Sequence, residues 1–162
     1  MLETIDFAPK IGLNTYMLEF DVPMAYYNLW YSHKHNPFKE PEPLSPDTVR
    51  QWKRVCETEI AKRGLLFHDM GHGWTGESFG IDTKGGWNAE TRTYPEDVMQ
   101  YVAMVDGKRS LFGGVPLNTN FCMSNPDARG KVVQYVADYA ENHQNVDFLH
   151  IWLADGTNNH CE

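Results

Sequence analysis

Three things are scarce or missing in this chain of 162 residues, and each shortage removes a class of protein. Cysteine occurs only at Cys56, Cys122 and Cys161, an odd number with no short pairing motif, so no disulfide framework can be read. Long apolar runs are absent: nothing approaches the roughly 18 residues of a membrane span, so no membrane insertion is expected. The opening "MLETIDFAPK" shows no basic segment followed by an apolar stretch, so no export signal is visible in the chain. Basic residues are in deficit, 14 Lys and Arg against 22 Asp and Glu, for a formal charge of −8. Nucleic acids and anionic membrane surfaces draw on clustered Lys and Arg, so neither is an expected partner, and neutral or cationic ligands fit better. A nucleophile elbow, a phosphate loop and a dinucleotide fingerprint are missing too, and no cofactor is expected.

What the chain has is a globular balance and many rings. Hydrophobic residues make up 41% and charged residues 22%, so it should fold, and its length suits one domain. Aromatics reach 13%, with 5 Trp, 8 Tyr and 8 Phe. Several stand in polar, glycine-rich stretches, which suits flat-faced ligands such as sugars as well as a core.

The elements follow an alternating order. "IGLNTYMLEF" (residues 11–20) reads as a strand. "LSPDTVRQWKRVCETEIAKRG" reads as a helix: Ser45 caps it, Pro46 opens it, Val49, Trp52, Cys56 and Ile60 recur at helical spacing, and Gly64 ends it. "LLFH" follows as a short buried strand. "TYPEDVMQYVAMV" suggests a second helix, with Thr93 and Glu96 in capping-box relation, leading to a strand in "VPLNTNFCMS". "SNPDARGKVVQYVADYAENH" opens with a cap at Ser124 or Asn125 and turns Val132, Val133, Val136 and Ala140 towards a core; residues 148–153 form the last strand. Four strands alternating with helices predict a parallel α/β sheet of βα units in which residues 1–162 are one domain, and the lack of a covering helix after the last strand suggests a piece of a larger one.

Polar groups gather at the strand ends: Asn14, Glu19 and Asp21; His68 and Asp69; Asn118, Asn120 and Cys122; His150 and Asp155. In βα proteins these ends carry the chemistry. Glu19, Asp69, Glu77 and Asp155 are the carboxylates best placed for acid and base work, with Glu19 and Asp155 the better candidates and Glu77 in the glycine-rich loop, since glycoside hydrolysis uses two carboxyl groups. His68, Asp69, His72, Trp74 and Asn120 are the candidate substrate-binding residues, with His72 donating a hydrogen bond and Trp74 a ring face. His68 and His72 stand four apart, but Gly71 and Gly73 argue against the helix that would make such a pair a zinc site, so no metal is expected.

Three stretches together, "NTYMLEFDVPMAYYNLWYSH", "GLLFHDMGHGWTGESFGI" and "NFCMSNPDAR…HIWLADGTNNHCE", resemble the family called domain of unknown function 4838, from polysaccharide-degrading bacteria. The resemblance covers nearly the whole chain. It implies a glycoside-hydrolase-like (β/α)8 barrel of the TIM type, similar to hexosaminidases and α-glucuronidases, of which residues 1–162 would be a partial barrel, about half, in a secreted, periplasmic or cell-surface parent; an open half-barrel would expose sheet edges, so a homodimer is expected. In hexosaminidase-like barrels the fourth strand ends in an Asp-Glu pair; here Asp155 is followed by Gly156. The expected function is hydrolysis of a polysaccharide or oligosaccharide, and the alternative is a non-catalytic carbohydrate-binding barrel. The resemblance also places Cys161 in a small cysteine cluster.

Overall fold

The computed structural model describes residues 1–156. In chain order these form α1 (Leu2–Phe7), a 3₁₀ turn (Ala8–Ile11), β1 (Thr15–Glu19), α2 (Met24–Tyr31), α3 (Pro46–Lys62) and β2 (Leu66–Gly71). There follow α4 (Trp74–Glu77), α5 (Glu96–Met99), β3 (Met104–Val105), β4 (Lys108–Arg109), two more 3₁₀ turns, α6 (Pro126–Asn142) and β5 (Phe148–Ile151). They divide into two compact units. One holds Met1–Met70 with Gln144–His150, and the other holds Gly71–His143 with the chain from Ile151 onward.

The first unit is built on a three-stranded parallel sheet in the order β1-β2-β5. Thr15 to Glu19 pair in register with Leu66 to Met70. Asp147 ties β5 to β2 twice: its backbone N–H donates to the Phe67 carbonyl (3.0 Å), and its carboxylate accepts from the Phe67 N–H (2.8 Å). One sheet face packs against α1 and α3, where Ile5, Leu18, Cys56, Ile60, Leu65 and Phe67 form the core. Alternation along the strands turns Met17 and His68 to the opposite face. The start of α3 follows from local chemistry: the Ser45 hydroxyl accepts from the Thr48 N–H at 3.1 Å, and Pro46 occupies the first turn. Gly64, with φ +66°, ends the helix in the left-handed region.

The second unit has a different composition. Phe79, Phe121 and Ala128 make one apolar cluster, with Val98, Tyr101 and Val132 packed around it. The Asn125 side chain caps α6 by accepting from the Asp127 and Ala128 N–H groups. Ala128 and Tyr139 are the buried positions of α6, whereas Val133 and Ala140, expected in the core, are exposed.

The expected partial (β/α)8 barrel of four parallel strands is not what forms. Among the described residues three strands are parallel, β3 and β4 make a separate antiparallel pair, and no barrel closes. Two elements account for the difference. The helix expected over 93–105 shrinks to Glu96–Met99, capped by Pro95 with no side-chain bond, so the Thr93–Glu96 capping box is not made. Its second half is drawn into tertiary pairing: Ala103 N–H donates to the Asn120 carbonyl and Cys122 N–H to the Tyr101 carbonyl, at 2.9 and 2.7 Å. Asp106 and Gly107, both at positive φ, then turn the chain into the β3–β4 hairpin. The strand expected over 115–124 is replaced by the 3₁₀ turn Pro116–Asn118 and an isolated bridge between Val102 and Phe121, because Pro116 has no N–H to give a ladder. Cys161 lies outside the described residues.

Among the described residues no helix is long and apolar enough to cross a membrane.

Candidate functional site

The stretch "GHGW" leaves the sheet at Gly71 and enters the second unit. A side chain on Gly71 would collide with the Trp74 ring, whose nearest atom would be 2.2 Å from the added Cβ. Gly73 has φ +99°, and a Cβ there would sit 2.6 Å from the Thr83 hydroxyl. Both glycines therefore serve close packing, and they fold Trp74 inward. Trp74 is buried and rests against Tyr135 and Tyr139 of α6, with ring centroids 5.9 and 4.6 Å away.

His72, between the two glycines, is 3% exposed. Its Nε2 lies 3.9 Å from a carboxylate oxygen of Asp155, a side chain that is 56% exposed. Two tryptophans flank the imidazole, Trp87 at 6.0 Å and 70° and Trp152 at 6.0 Å and 52°. These rings are 52% and 46% exposed, so each keeps a face towards solvent. A recessed histidine, an exposed carboxylate and two open indoles thus share one surface of this unit.

Each member is held by its surroundings. The Asn120 carbonyl oxygen accepts from the Ala154 N–H (2.9 Å), and its amide donates to the Ala154 carbonyl (3.3 Å). That reciprocal pair fixes the segment between Trp152 and Asp155. The loop carrying Trp87 is clasped at its base, where the Tyr94 hydroxyl accepts from the Asp82 N–H and donates to Glu90. Burial disfavours the charged form of Asp82, but hydrogen bonds from Lys84, with Arg92 behind them, outweigh it and hold the carboxyl below its usual value. Burial and the Glu90 hydrogen bond raise the Tyr94 phenol. Glu77 is engaged by Thr83 and by the Tyr135 hydroxyl.

The structure therefore brings His72, Asn120 and Asp155 into one neighbourhood and places Trp74 in the core of the same unit. Glu19, His68 and Asp69 belong to the first unit. There Glu19 is exposed and lines a cleft of about 290 Å³ with Tyr16, Phe20, Tyr26 and Tyr27. Asp69 is wholly buried and accepts from the Lys53 ammonium at 2.8 Å. Glu57 and Asp21 lie 3.9 and 4.0 Å from the same ammonium, and Arg54 pairs with both. His68 contacts His150 on the outer sheet face. Trp87 and Trp152 were not among the residues singled out by sequence. Their signal was weak but present, a tryptophan in the glycine-rich "KGGWN" and another at the end of the last strand.

Among the described residues no set of three or more His, Cys, Asp or Glu side chains converges to hold a metal. No family model, curated protein or solved structure matches this chain.

Proposed function

We propose that the second unit binds carbohydrate through the His72, Trp87, Trp152 and Asp155 surface. The observation behind this is the pair of half-exposed indoles on either side of a recessed histidine. Sugar rings present flat patches of C–H groups, which pack on aromatic faces, and rims of hydroxyls, which need fixed donors and acceptors beside those faces. His72 and Asp155 are such groups. The net charge of −8 favours neutral or cationic saccharides over uronic-acid polymers.

Hydrolysis asks for two carboxyl groups with a sugar between them. Asp155 is the carboxylate beside this imidazole, while Glu77 of the same unit is tied to Thr83 and Tyr135. Binding is therefore the leading reading, and hydrolysis is the stronger claim that needs a further observation.

Tryptophan fluorescence titrations with cello-, xylo-, malto- and chito-oligosaccharides test it. One series should shift the emission saturably, and Trp87→Ala and Trp152→Ala should each weaken binding roughly tenfold, about 1.4 kcal/mol. Silence with every series, or unchanged affinity in both variants, would remove the proposal. Release of reducing sugar that Asp155→Asn abolishes would promote it from binding to hydrolysis.

A further inference from the structure

Helix α2 of the first unit has two sides of different use. Tyr27 and Tyr31 face α3, where both rings meet Trp52, at 5.4 Å and 62° and at 5.6 Å and 44°. Tyr26, Leu29 and Trp30, spaced three and four positions apart, share another side of the helix and are exposed. The rings stand at steep angles to one another and wall a hollow of about 430 Å³, lined by Tyr26, Tyr27, Trp30, Tyr31, Trp52 and Val55 among others. Among the described residues no charged side chain lines it. A ring-walled apolar opening at a surface is a seat for a further ring.

Such a ring is presented by the loop that leaves α2. Phe38 is 93% exposed, the most open of the large apolar side chains among the described residues. His33 and His35 before it sit at φ +48° and +76°, a region that non-glycine residues seldom use. The loop is pinned in that shape. The Asn36 N–H donates to the His33 carbonyl (2.8 Å), and the Asn36 side chain accepts from the Phe38 N–H (3.0 Å). The Glu42 carboxylate meets the His33 ring at 2.7 Å, and the Glu42 N–H donates to the Tyr31 carbonyl (2.9 Å). Pro37, Pro41 and Pro43 stiffen the stretch further. Phe38 is thus held out to solvent, and it does not line the hollow of its own chain.

We propose that this face pairs with a second copy of the chain, the Phe38 ring of each copy seated in the aromatic hollow of the other. One chain carries both a presented ring and a hollow that its own ring leaves open, and a two-fold axis joins the two twice over. Tyr26, Leu29, Trp30, Phe38 and Val55 from two copies offer on the order of 1,000 Å² of apolar surface, the lower end of a specific interface. The pair therefore forms and dissociates with concentration. It is separate from the carbohydrate surface of the second unit and stands or falls separately.

The test is sedimentation equilibrium of the full chain over about 1 μM to 1 mM, a span that covers weak association. The mass should rise from one chain to two and stop there. A buried anchor ring is worth about tenfold or more, and each contact occurs twice, so Phe38→Asp and Trp30→Ala should each weaken the dimer about a hundredfold. Phe38 touches so little of its own chain that Phe38→Asp should leave the urea midpoint unchanged, which separates lost pairing from lost fold. Mixing the two variants restores one complete contact, the Phe38 ring of the Trp30→Ala chain in the intact hollow of the Phe38→Asp chain. The mixture should therefore associate about tenfold more tightly than either variant alone. A single chain at every concentration gives the hollow to a different partner and overturns the proposal. So does a dimer that survives Phe38→Asp, a mixture no tighter than its components, or a mass that climbs past two chains.

Discussion

The two units place their aspartates in opposite settings. In the first, Lys53 and Asp69 meet with both side chains almost wholly buried, 3% and 1% exposed, and Glu57, Asp21 and Arg54 complete the network. In the second, His72 meets Asp155 at a longer 3.9 Å, and the aspartate stands half in water beside an imidazole flanked by two open indoles. The buried network has all its partners inside the protein, and taking one away strands a charge out of reach of solvent. Asp155 keeps its carboxylate half in water, where an ionic contact contributes little to holding the chain together. Depth is what separates the two aspartates: Asp69 is enclosed with its cation, and Asp155 is left open to solvent.

The sharpest way to break that contrast is Lys53→Met. It leaves Asp69 buried without its cation and should cost about 3–5 kcal/mol, read as a large fall in the urea midpoint. Adding Asp69→Leu should recover much of the loss. If Lys53→Met alone is neutral, the network is not the structural element described here. Next comes Asn120→Ala in the second unit, which leaves the Ala154 N–H and carbonyl without their side-chain partner. A loss of about 1–3 kcal/mol is expected, together with weaker oligosaccharide binding, because the released segment carries Trp152 and Asp155. Stability loss with full binding would show that the segment keeps its shape unaided.

Trp152→Ala should change the unfolding free energy by no more than about 0.5 kcal/mol while weakening oligosaccharide binding roughly tenfold, the reverse of Lys53→Met. The smallest effect concerns acid. Asp82 has its folded pKa below the usual 3.8, so it contributes stability at pH values above that figure and loses it as pH falls through the folded value. The midpoint difference between wild type and Asp82→Asn should therefore be greatest near neutrality and shrink as pH falls below 3.8 towards the lower folded value. A difference independent of pH would show that the carboxylate's charge is not what holds the Trp87 loop.

How far each unit could be read in advance follows the range of the forces that build it. α3 was legible because Ser45, Pro46, Val49, Cys56, Ile60 and Gly64 act within a few residues of one another. α6 was legible at its start for the same reason, through Asn125 and Pro126. Lys53 and Glu57 share the buried face of α3 yet look like solvent residues, since what makes their burial tolerable is Asp69, sixteen positions beyond Lys53. The stretch from Thr93 to Val105 carries a helical pattern, but Tyr101 and Ala103 pair with Asn120 and Cys122, and only a contact between distant segments could overrule it. The Asp106–Gly107 turn was a local signal that could have been taken.

The candidate site divides along the same line. Asp155 was visible as a polar group at a strand end and His72 as a candidate hydrogen-bonding group, and the glycines around His72 marked a break from helix. Trp74 looked like a ligand ring because it follows that glycine, yet packing against Tyr135 and Tyr139 buries it and leaves Trp87 and Trp152 as the open faces. By itself, then, the sequence determined the start and end of α3, the start of α6, the places of β1, β2 and β5 and the acidic, ring-rich character of the chain, because caps, periodicity and composition act locally or additively. Only the tertiary structure decided which carboxylate is buried against a lysine and which stands beside a histidine in water. Those outcomes depend on desolvation, and desolvation is a property of everything packed around a group, not of its neighbours in the chain.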